Sequence, residues 1–100
     1  QRSEEIPSVI EQAEEKYLND AWYRVLLDWF QGKRSDEEMT NSIKDDEQAC
    51  EAHYWLGEKY RATGRREEGS ALILKTLETG VTSYYEYQHA RALVNSGKIV

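Results

Sequence analysis

Cys50 and His53 stand three residues apart in a stretch with helical periodicity, which would place a thiol and an imidazole on one helix face. That pairing offers two chemistries: a nucleophile activated by a neighbouring base, or half of a metal site. Either needs a further group, to orient the imidazole or to complete the ligand set, and no residue supplies one at a suitable spacing. His53 also falls within the apolar stripe Ala49, Ala52, His53, Leu56 and Tyr60, where a packed, hydrogen-bonded histidine is the simpler expectation. Lys59, Arg61, Arg65 and Arg66 gather around Gly64. Such a knot can hold a phosphate or an acidic partner, but a solvated turn at a helix C-terminus is the simpler expectation. The acidic runs Asp36-Glu37-Glu38 and Asp45-Asp46-Glu47 lie where helices are expected to start, which favours negative charge, and they lack calcium-loop spacing. Gly-rich phosphate loops, serine nucleophile elbows and zinc motifs are absent from the sequence. The expectation is a non-enzyme with no catalytic residue, no metal and no cofactor.

The elements that carry these residues are all read as helices. A first helix is expected over 7–19, from Ile6, Val9, Ile10, Ala13 and Tyr17, with Pro7 or a Ser8–Glu11 box at its start. Asn19-Asp20 marks a break and a new cap. A second helix, 21–31, carries Trp22, Val25, Leu26, Trp29 and Phe30 and stops at Gly32. These aromatics are expected in the core, an exposed docking face being the alternative. Ser35 with Glu38 forms a capping box for a short helix bearing Met39 and Ile43, and Asp45 with Gln48 caps a fourth helix that ends at Gly64. A fifth carries Gly69, Leu72, Ile73, Thr76 and Leu77 and ends at Gly80. Ser83 with Glu86 reads as a box opening a sixth, with Tyr87, Ala90 and Val94 on one face; the last three residues are expected to fray. The single Pro lies near the N-terminus, so no later helix is broken by proline. Short loops force neighbouring helices antiparallel. One hundred residues suit one domain.

Charge narrows the partners. The net charge is −6, and residues 1–50 hold 13 acids against 6 bases while residues 51–100 hold 6 against 7. An acidic chain repels phosphate, so nucleic acid and anionic membrane are disfavoured. No apolar run reaches membrane-spanning length, so direct insertion is not expected. Cys50 is the only cysteine, which excludes an internal disulfide and is neutral about compartment. The sequence starts at Gln1, which reads as a processed or trimmed piece.

Spacing adds a more specific pattern. From His53, Leu56 and Gly57 follow at three and four residues and Tyr60 at seven; Gly69 lies sixteen on, Ile73 twenty on and Tyr87 thirty-four on. Large, small, aromatic and small residues at these places resemble a tetratricopeptide (TPR) helix pair, although His53 replaces the consensus Trp and Thr76 a consensus Ala. Trp22 leads Val25, Leu26 and Trp29 in the same arrangement, 31 residues before His53. The order of a Trp-rich helix, a short acidic helix, Ala52-x-Tyr54-x-Leu56-Gly57, Gly64 and Tyr85-Glu86-Tyr87-x-x-Ala90 resembles the C-terminal part of bacterial NlpI-type TPR lipoproteins and related bacterial TPR proteins. The resemblance implies an all-α fold of about six antiparallel helices in a short right-handed solenoid. Within it, 1–19 would be a packing helix, 20–46 a degenerate repeat, 47–80 the best repeat and 83–96 a terminal helix.

It also implies a site. TPR arrays bind extended peptides along the inner faces of their first helices. In this chain those faces would expose Glu51, Tyr54, Trp55 and Glu58, with Tyr85, Gln88 and His89 on the last helix. The Lys, Arg and Asn of carboxylate-clamp TPRs are missing from these places, and Glu51 and Glu58 would repel a peptide C-terminus. An aromatic–acidic groove instead suits a basic or apolar segment of a protein partner, in a non-catalytic adaptor. The alternative is that Trp55 packs on its neighbour and the domain is a structural or oligomerising segment, a homodimer included. The location would be the cytoplasm, or the bacterial envelope if an export signal has been removed.

Overall fold

The computed structural model describes residues 20–99. The helix expected over 7–19 lies outside the described residues. Those described form five α-helices and no strand: α1 (Ala21–Phe30), α2 (Asp36–Asn41), α3 (Asp46–Ala62), α4 (Arg66–Glu78) and α5 (Tyr85–Asn95). The protein is thus all-α. It divides into two compact units, residues 1–42 and 43–100.

In the first unit, the Asp20 carboxylate accepts the backbone N–H of Trp22 and of Tyr23, at 3.0 and 3.2 Å, which starts α1. Trp22, Leu26 and Trp29 recur at helical spacing and are buried, whereas Phe30 is exposed. The Trp29 indole donates to Asp36 at 2.7 Å, tying α1 to the start of α2. Ser35 and Glu38 form the expected reciprocal box, at 3.1 and 2.9 Å, and α2 buries Met39.

In the second unit, Asp45 accepts the Gln48 N–H at 2.8 Å and starts α3. Its end follows from Gly64, whose φ of +93° lets the chain reverse. Arg65 N–H then donates back to Tyr60 O at 2.8 Å, which satisfies a helix-end carbonyl. The antiparallel pair α3–α4 meets at Gly57 and Gly69. A Cβ on Gly69 would lie 2.6 Å from Gly57 O, and one on Gly57 would lie 2.9 Å from Gly69 O. The small residues at these two positions therefore set how closely the backbones approach.

The core of this unit is Tyr54 from α3, Ile73 from α4, Ala90 from α5 and Ile99, flanked by Trp55, Leu77, Leu93 and Val94. Three expectations are corrected here. First, the buried residues of α3 are Cys50, Ala52, Tyr54, Leu56 and Gly57, while Ala49, His53 and Tyr60 are only half-buried. This helix packs against both α4 and α5, so its apolar surface is wider than one stripe. Second, the chain end is not frayed at Ile99. Lys98 N–H and Ile99 N–H donate to Leu93 O at 3.0 and 3.3 Å, and Ile99 is buried. Third, Ser83 does not cap α5, which begins after Tyr84 without a side-chain cap.

Candidate functional site

The aromatic residues of α3 and α5 form one cluster graded from core to solvent. Tyr54 is its inner member, 1% exposed, and Tyr85 its outer member, 59% exposed. Tyr85 and His89, one turn apart on α5, stack with ring centres 5.4 Å apart and planes 16° from parallel. Tyr85 also stacks with Trp55 at 6.4 Å and 19°. Tyr54 meets Trp55, Tyr85 and His89 edge to face, at 4.8, 6.3 and 5.5 Å. The Tyr54 hydroxyl is hydrogen-bonded to His89 Nδ1. Burial, and then the nearby Glu58, push the Tyr54 phenol far above its ordinary range, so it stays neutral.

Carboxylates frame the cluster. The Trp55 indole N–H donates to Glu86 Oε2 at 3.0 Å, which fixes the ring plane. Glu58 pairs with Arg61 at 2.5 Å through Oε1. Toward the start of α3, the Tyr84 hydroxyl donates to Glu47 at 3.0 Å. That bond, then burial, push the Tyr84 phenol up to about 12. Glu47, Glu51, Trp55 and Glu58 are spaced four, four and three residues apart, so one line along α3 carries three acids and one aromatic.

Of the residues expected to line a groove, Trp55, Tyr85 and His89 come together, and Glu58 and Glu51 lie half-buried on α3. Tyr54 is corrected: it is a core residue supporting the surface from beneath, because its face of α3 is covered by α4 and α5. Gln88 is exposed, but it reaches back to donate to Thr82 O at 3.3 Å, bracing the loop before α5 rather than joining the rings. Glu86 joins the site through Trp55, although its sequence signature is that of a cap. It stands one turn before the buried Ala90, on the packed side of α5, where an acid requires a donor. That position was the available signal.

Cys50 and His53 face different surroundings. Cys50 is fully buried, and burial raises its thiol pKa, leaving it an inert packing residue. His53 lines an open hollow of about 190 Å³ with Asp46, Ala49, Lys75, Glu78 and Thr79. Burial, and then Lys75, lower its pKa. Among the described residues, no group of three His, Cys, Asp or Glu is placed to hold a metal ion, and no helix is long and apolar enough to cross a membrane. In the cationic knot, Arg61 pairs with Glu58, and Arg65 pairs with Glu68 while lying 3.8 Å over the Tyr60 ring. Compared with protein-family models, characterised proteins and solved structures, the chain shows no significant match.

Proposed function

We propose that the second unit is a TPR-like protein-interaction module that captures a basic or apolar segment of a partner protein on the α3–α5 surface, without catalysis. The observation that carries this reading is Tyr85: a large aromatic, more than half exposed, stacked on His89 and on Trp55, whose indole is bonded to the Glu86 carboxylate. Pre-ordered aromatic rings give contact area at little entropic cost, and the carboxylates favour a cationic partner. The close Gly57–Gly69 approach supports the helix-pair resemblance, since small residues are wanted at those two places. Selection from a random-peptide display library tests the proposal. The native chain should enrich peptides rich in Lys, Arg or apolar residues, and a folded Tyr85→Ala/Glu58→Lys variant should not retain them. Equal enrichment by both chains would sink the reading.

A second reading, a structural segment that assembles through its helices, has one observation in its favour. Arg66, Glu67, Ser70, Ala71, Leu74 and Lys98 line an open groove of about 360 Å³ along α4, and Leu74 is partly exposed within it. Mass in solution separates the two. A monomer leaves the α3–α5 surface free for a ligand, and a tight dimer weakened by Leu74→Glu favours assembly.

A further inference from the structure

We propose that the side chain recognised at this surface is an arginine, in preference to a lysine; the inference rests on the partner-binding reading above. The first support is a pattern that the chain already uses for one of its own arginines. The Arg65 guanidinium lies 3.8 Å over the Tyr60 ring, and its Nε and Nη2 donate to the two oxygens of Glu68 at 2.9 and 2.5 Å. A tyrosine face and a carboxylate together hold a planar cation by stacking and by a forked pair of hydrogen bonds.

The α3–α5 surface holds the same two kinds of group, a tyrosine ring and carboxylates. Tyr85 supplies a mostly exposed ring whose plane is nearly parallel to those of Trp55 and His89, which hold it in a stack. Glu86 and Glu58 supply carboxylates, the first bonded to Trp55 through Oε2 and the second to Arg61 through Oε1. A carboxylate offers about four acceptor sites, so one such bond leaves room for an incoming donor. A guanidinium matches both parts because it is planar, weakly hydrated and forked. An ammonium can meet the charge but cannot stack in plane or bond in a fork.

Three fluorescent peptides test the assignment, with the sequence Gly-Ser-X repeated four times and X as arginine, lysine or neutral citrulline. Each is titrated into the full chain while the Tyr85 ring and Trp55 indole signals are followed by NMR. The arginine peptide should shift both signals and bind about fivefold more tightly than the lysine peptide, and citrulline should not bind. Tyr85→Ala should erase the arginine preference, and Tyr85→Phe, which keeps the ring, should preserve it. Equal binding of arginine and lysine peptides, both shifting Tyr85, overturns the arginine assignment and leaves the basic-segment reading standing. Failure of every peptide to shift Tyr85 or Trp55 overturns both.

Discussion

His53 and Tyr54 are neighbours in sequence with opposite fates, and the difference has a measurable consequence. The folded protein lowers the His53 pKa below its ordinary 6.5 through burial and the Lys75 charge, so folding disfavours its protonation. With the pKa depressed in the folded state, stability is full above 6.5 and falls as the pH drops through the folded-state value. Urea melts between pH 7.5 and 5 should show this loss, and His53→Asn should flatten that part of the profile; an unchanged slope would place the acid sensitivity elsewhere. The stripe in the sequence contained His53 and omitted Tyr54. Adjacent helical residues differ by about 100° around the axis, and periodicity marks one preferred face. It does not reveal that two neighbouring helices cover α3 from different sides. Trp55, Tyr85 and His89 were legible as a set only through the TPR resemblance, and the structure stacks their rings. Glu86 was not, because its hydrogen bond to Trp55 spans two elements.

At the scale of the element, helix starts were legible where the cap is local and misread where tertiary structure claimed the capping residue. Asp45 caps α3 as its sequence implies, so Asp45→Ala should cost about 1 kcal/mol in chemical denaturation. Ser83 has the same local signature, but α5 starts without a side-chain cap and Glu86 holds the Trp55 indole. Ser83→Ala should accordingly stay within about 0.5 kcal/mol of the native chain. A larger loss would restore the capping box. The α3–α4 pair supplies a sharper test. An alanine at position 69 gains about 1 kcal/mol of helix propensity, yet its Cβ would meet Arg61 Cγ at 2.6 Å, Gly57 O at 2.6 Å and Arg61 N at 2.8 Å. Two of those atoms belong to backbone and cannot swing aside. Overpacking should win, so Gly69→Ala should lower stability by about 1–3 kcal/mol. A neutral or stabilising result would mean that the helices can separate at little cost.

At the scale of the whole molecule, the chain holds two compact units, and the aromatic surface, its carboxylate frame and the core beneath it belong to residues 43–100. A fragment of those residues should keep its helical circular dichroism and a dispersed methyl NMR spectrum, although a chain this short has a small margin of stability. Loss of both would show that 1–42 is needed for the second unit to fold. The all-helical class was legible from composition and glycine stops, and the division into units was not, because short loops read as one continuous array. The buried Ile99 makes the segment after α5 part of the core. It sits beside Tyr54, Ile73 and Ala90, with the backbone ahead of it fastened to Leu93. Removing the Ile99 side chain would therefore open a hole under the aromatic surface. The turn from Gly97 to Ile99 is thus a latch, and a change there acts on the aromatic surface from within the core.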